Sequence, residues 1–180
     1  MEFRKIGVVA ILFSIFLVGC NSESASEAEN VTPTPSATTE PTTNDIPDWV
    51  SIDEGIWGNV LYWEGDFMPG DPTGTKTPVA RTIHIYETTT ESEAARIDNT
   101  TFFEYVDTQL VLVVYSESDG TFQAQLPPGE YSVFVLEDGK LWANLKEIDY
   151  ETGVSTINPV AVDDDRLSEF NIDIDYAAAY

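Results

Sequence analysis

His84 is the only histidine in the 180-residue chain and Cys20 the only cysteine, so acid–base or nucleophilic chemistry has few places to reside. A hydrolytic triad would need His84 beside an activated serine, and the sequence holds no Gly-x-Ser-x-Gly elbow. Zinc-ligand spacings, redox cysteine pairs and phosphate-cradling glycine loops are missing as well. Paired carboxylates are unavoidable among 32 acidic residues, so their pairing alone says little about catalysis. The sequence therefore reads as non-catalytic, with His84 a packed or surface residue on a strand.

Binding chemistry has better candidates. Asp163, Asp164 and Asp165 follow an apolar run, and adjacent carboxylates can hold Ca2+. The fuller ligand loop of an EF-hand is missing, so the competing reading is a solvated turn; Glu117 and Asp119 carry the same ambiguity. Trp57 and Trp63 share one face of an alternating run, about 20 Å apart at ~3.3 Å per residue. With Trp142 they could stack on sugar rings if exposed, and they form core if residues 46–54 or a loop cover them. Residues 64–78 read as a long Gly/Pro loop holding Phe67 and Met68. Loops of that length in compact domains are often functional, which makes this one the leading contact surface.

The amino terminus addresses the question of place. Arg4 and Lys5 precede an apolar run over 6–18. At about 1.5 Å per residue the run reaches about 20 Å, short of the ~30 Å hydrocarbon core, and it looks like a signal-peptide core. The other reading is a short membrane anchor followed by an ordinary cysteine. The run ends in Leu17-Val18-Gly19-Cys20, which resembles the lipobox of bacterial lipoproteins. The resemblance implies cleavage after Gly19, a diacylglycerol thioether on Cys20, and further acylation by a chain such as palmitate. Residues 1–19 are then signal peptide, and two or more acyl chains make a stable anchor. Asn21, where an Asp would resemble an inner-membrane retention signal, leans toward the outer membrane. Glu23, Glu27 and Glu29 resemble the acidic export tethers of Bacteroidetes surface lipoproteins.

Residues 20–45 hold the lipidated cysteine and a Ser/Thr/Pro/Glu stalk without an aromatic residue. Such a segment cannot bury enough surface to offset the entropy of ordering. The net charge of −24 excludes nucleic acid, whose binders neutralise phosphates with Lys and Arg. It also opposes contact with anionic lipid headgroups, so the membrane is reached through the anchor. A lone cysteine leaves no intramolecular disulfide.

From residue 46 to 180 the period is two. Alternating or apolar runs at 55–63, 79–87, 110–115, 122–126, 131–135, 140–145, 157–162 and 170–176 predict strands. The unbroken run at 110–115 predicts a central strand. Thr90 and Glu93 have capping-box spacing, so 89–97 predicts two helical turns in a connection. Pro127-Pro128-Gly129 ends one strand and turns into the next, since proline cannot donate to a ladder and glycine tolerates angles other residues avoid. Short strands with Gly, Pro and Asp turns predict an all-β sandwich.

Ser118-Asp119-Gly120-Thr121-Phe122 followed by Leu126-Pro127-Pro128-Gly129-Glu130-Tyr131 resembles carboxypeptidase regulatory-like domains. Gly55-Ile56-Trp57-Gly58-Asn59-Val60 and the ending Ile174-Asp175-Tyr176-Ala177-Ala178 look like Bacteroidetes envelope lipoproteins that carry such a domain. The resemblance implies a transthyretin-like Greek-key sandwich of about seven to eight strands. It also implies a non-catalytic companion or adhesion-type role, binding an envelope protein or a glycan. The Tyr-Arg-Gly-Ser ending of the hydrolase branch is missing.

Overall fold

Alternation along residues 55–63 sends Ile56, Val60 and Tyr62 to one face and Trp57, Leu61 and Trp63 to the other, which makes this segment the axis of a sheet. The computed structural model describes residues 46–70, 73–144 and 146–180. Cys20 and the segments expected to be a signal peptide (1–19) and a stalk (20–45) lie outside the described residues. The first strands are β1 (Gly55–Asp66), β2 (Thr75–Pro78), β3 (Thr82–Glu87), β4 (Ala94–Arg96), β5 (Phe102–Val106), β6 (Leu110–Tyr115) and β7 (Thr121–Gln125). They are followed by β8 (Gly129–Glu137), β9 (Lys140–Trp142), β10 (Lys146–Ile148), β11 (Ser155–Ile157), β12 (Pro159–Val162), β13 (Leu167–Glu169) and β14 (Ile172–Ala179).

The chain is an all-β sandwich. In the first sheet β1 is central: antiparallel β7 and β2 take one edge in succession, and parallel β13 and β14 take the other. The second sheet runs β4-β5-β9-β8-β3-β6, with β12 sharing the β9 edge of β8. β10 and β11 form a separate hairpin. Between the sheets Ile56, Val60, Phe122, Ile172 and Ile174 meet Ile83, Ile85, Val133, Val135 and Trp142. A smaller cluster of Phe103, Phe134, Leu141, Ala143 and Ile157 packs separately, with Tyr86 and Val106 against it. Among the described residues no helix is long and apolar enough to cross a membrane.

Several expectations change in the folded chain. The run at 110–115 is a strand, but it lies at the edge of its sheet. The central strand is β8, where Val133, Phe134 and Val135 are buried in succession because clusters cover both its faces. In place of two helical turns there is a single 3-10 turn, Glu91–Glu93, followed at once by β4. The cap itself is present: the Thr90 amide and hydroxyl both donate to Glu93 Oε2. The long loop at 64–78 is mostly hairpin, since β1 runs on to Asp66 and β2 pairs back along Leu61–Glu64. Asp66 O closes the tip by accepting from the amides of Thr73 and Gly74. Gly129 is not at positive φ. An added Cβ there would meet the Tyr131 ring and hydroxyl at 3.2–3.5 Å, so the glycine leaves room for that side chain.

Candidate functional site

The residues that β1 carries past the core gather at one end of the first sheet. Trp63 points to the outer face of β1, and its cross-strand partner on β2 is Lys76. The Lys76 ammonium stands 3.3 Å from the centre of the Trp63 ring, where the negative face of the indole attracts a cation. Phe67, just beyond β1, lies 5.2 Å from Trp63 and 6.1 Å from Tyr180, which follows β14. The Phe67 amide donates to Ala179 O, so the hairpin tip and the end of β14 are tied together. Met68 is 48% exposed beside them, its amide held by Asp66 Oδ1.

A cleft of about 150 Å³ opens next to this cluster, lined by Trp63, Tyr180, Asn144, Asn171, Asp173 and Asp175 among others. Its carboxylates are held by neutral donors. Trp63 Nε1 donates to Asp173 at 3.1 Å, and Asn144 Nδ2 donates to Asp175 at 3.1 Å. The Tyr180 hydroxyl donates to the other Asp175 oxygen at 3.3 Å. Burial, then the charge of Asp175, pushes the Tyr180 hydroxyl above its ordinary range. Flat rings beside amides and carboxylates can hold a partner's side chains or a polyhydroxylated ligand.

The sequence-derived candidates do not all join this site. Trp57 is 4% exposed and covered edge-on by Trp49 at 5.9 Å, so residues 46–54 roof that part of β1. Trp142 is fully enclosed between the sheets, 6.4 Å from Tyr176. Neither indole presents a face at the surface, and sugar stacking on Trp57 and Trp142 is ruled out in this conformation. Trp63, Phe67 and Met68 do come together. Tyr180, Lys76, Asn171, Asp173 and Asp175 were missed, because only the pairing of β1 with β2 and β14 makes them neighbours. Asn144 was missed because it arrives from beyond β9 in the other sheet, where its Nδ2 donates to Asp173 O.

The acidic run also sorts differently. Asp164 and Asp165 converge with Glu54, their carboxylate oxygens within 4.8 Å of one another, while Asp163 is outside the group. Glu54 Oε1 accepts the Asp165 amide at 2.9 Å, which stabilises the turn without further help. Asp119 accepts from the Thr121 amide and hydroxyl, and these bonds hold its carboxyl below the usual range. Glu117 O accepts the Gly120 amide, so both residues serve the turn into β7. His84 faces Val113 and Phe134 across its neighbouring strands, with Tyr86 at 6.3 Å and no partner for Nδ1 among the described residues. Partial burial lowers its pKa, which favours the neutral ring. No family model, no curated protein and no solved structure matches the chain.

Proposed function

We propose that this protein is a lipid-anchored component of the bacterial cell envelope that presents a non-catalytic β-sandwich to an envelope protein. The anchor is Cys20, the membrane is the outer membrane, and the sandwich is of the carboxypeptidase regulatory-like, transthyretin-like kind; these parts rest on the sequence. The observation that carries protein binding is the exposed end of the first sheet, where Phe67, Met68 and Tyr180 surround Trp63. Aromatic residues and Met are enriched where proteins meet. The Ser/Thr/Pro/Glu composition of residues 20–45 suits a tether, which would hold that end clear of the lipid surface.

The test is crosslinking on intact source cells through a photoreactive residue at Met68. Recovery of one protein in near-equal amount supports the proposal; recovery of none overturns it. A glycan is the second reading, favoured by the cleft in which Trp63 and Tyr180 sit beside Asn144, Asn171, Asp173 and Asp175. Oligosaccharide binding that is lost in Asp175→Ala with the fold intact would support it.

A further inference from the structure

The strand β6, Leu-Val-Leu-Val-Val-Tyr over Leu110–Tyr115, is the most apolar strand at a sheet edge. It pairs with β3 alone among the described residues. The Ser116 amide donates to Arg81 O, which fixes the alternation along the strand: Leu112 and Val114 turn their backbone groups to β3. The amides and carbonyls of Val113 and Tyr115 therefore face the open edge. The side chains are open as well, with Tyr115 71% exposed and Leu110 and Val111 also exposed. Leu112 and Val114 only half-cover the rim of the core.

Proteins guard edges of this kind with lysine, proline, bulges or a covering loop. Among the described residues a register shift opposite Ile85 and Tyr86 is the one such device on this strand, and the outward positions are Val111, Val113 and Tyr115. A strand added to this edge would complete the ladder and cover the rim formed by Leu112 and Val114. Both gains are those of β-strand addition.

Charge decides the occupant. Glu104, Asp107, Glu117 and Asp119 flank β6, and no basic residue lies between 104 and 119. The guanidinium of Arg81, at the end of β3, is committed to Glu137. A second copy in antiparallel register would set Asp107 near the acids at 117 and 119, and in parallel register would set each acid near its own copy. Like charges opposed across strands are destabilising. We infer that β6 is a docking edge for an extended segment of another protein, with alternating apolar residues flanked by Lys or Arg. This inference goes beyond the protein-binding reading, because it places a contact on the second sheet, away from the Met68 end of the first.

The test uses the full chain and a labelled synthetic peptide of alternating Val and Thr with paired Lys at each end. Saturable binding is expected, weakened about tenfold or more when Glu replaces Lys. Methylating the peptide amides that would face β6 should abolish it. Val113→Pro removes only an outward amide and is compatible with an edge strand; Val111→Lys leaves the backbone untouched and adds a repelling charge. Both variants should lose the peptide while keeping the thermal midpoint of the parent.

Equal binding of the Lys and Glu peptides, indifference to methylation, or no binding would overturn the inference. So would a dimer of the chain that Val113→Pro dissolves, since the occupant would then be a second copy. If the peptide fails while Met68 still crosslinks to one envelope protein, the edge inference falls and the protein-binding reading stands. If the peptide binds as described and no protein is recovered from cells, the reading of a protein partner falls instead.

Discussion

Tyr176 on β14 donates its hydroxyl to Glu137 on β8 at 2.9 Å, joining the two sheets at the end of the sandwich. Glu137 is 5% exposed and spends its other oxygen on Arg81 Nε. Tyr62 meets the Tyr176 ring edge-on at 5.7 Å, and Phe102 lies 5.1 Å away. The carboxylate is thus a shared acceptor inside an aromatic wall, where an ion survives only when paired and hydrogen-bonded.

Removing either donor should cost unequal amounts. Arg81→Met leaves a buried carboxylate without its cation and should destabilise by about 3 kcal/mol. Tyr176→Phe removes one hydrogen bond and should cost about 1–2 kcal/mol. Glu137→Gln keeps the shape, loses the charge, and should fall between them. Urea unfolding of the single and double variants checks this, with the Arg81 and Tyr176 effects failing to add because both act on Glu137.

The same contact should weaken the fold at alkaline pH. Burial, then the hydrogen bond to Glu137, raises the Tyr176 hydroxyl far above its ordinary value near 10. Burial also raises Tyr86 and Tyr131. A raised folded value means that the native state holds its proton while the unfolded chain releases it. Stability is therefore full below pH about 10 and falls as pH rises beyond it. Denaturant midpoints taken across that range should decline in the parent and decline less in Tyr176→Phe. Tyrosinate absorbance should show a late-titrating fraction that the substitution reduces.

Much of the fold was legible because period-two patterning is local. Each of the predicted runs overlaps a strand, and 110–115 matches β6 end to end. What failed was long-range. A continuous apolar run can mean burial on both faces, as in β8, or an apolar edge, as in β6, and sequence alone does not separate them. β2 was hidden because Thr-Lys-Thr-Pro has no apolar face, and its four residues are all exposed. β5 was hidden because Phe102 and Phe103 serve opposite faces. The site was half legible: Trp63, Phe67 and Met68 are close in sequence, whereas Tyr180 and Asp173 reach them only through the parallel pairing of β1 with β14.

Glycine positions separate two kinds of constraint. At Gly58 on β1 a Cβ would fall 2.1 Å from Phe170 O, where the chain crosses between β13 and β14. Phe170 in turn donates its amide to Trp57 O, so the backbones cannot move apart cheaply. Gly58→Ala should cost about 3 kcal/mol, as overpacking does. Gly139 has nothing within 4 Å but sits at φ +79 in the β8–β9 turn. Gly139→Ala should cost about 1–2 kcal/mol, from the backbone angle alone. Thermal unfolding of the two variants should rank them in that order.

Tryptophan accessibility distinguishes the readings of the first sheet. Of the 4 tryptophans, Trp57 and Trp142 are buried, Trp49 is partly exposed, and Trp63 is half-covered by Lys76 and Phe67. Iodide should therefore quench only part of the fluorescence, and Trp142→Phe should leave the quenchable part unchanged. Lys76→Met removes the cation over Trp63 and should raise quenching, because the ammonium no longer caps the ring. An oligosaccharide bound at the cleft would protect Trp63 alone, shifting its emission while the Trp57 and Trp142 signals stay fixed. A protein bound through Met68 and Phe67 would protect Trp63 as well, and the protection would be lost in Phe67→Ala. A sugar held by Asp173 and Asp175 would instead lose its protection in Asp175→Ala, so the two substitutions assign the occupant of this end of the sandwich.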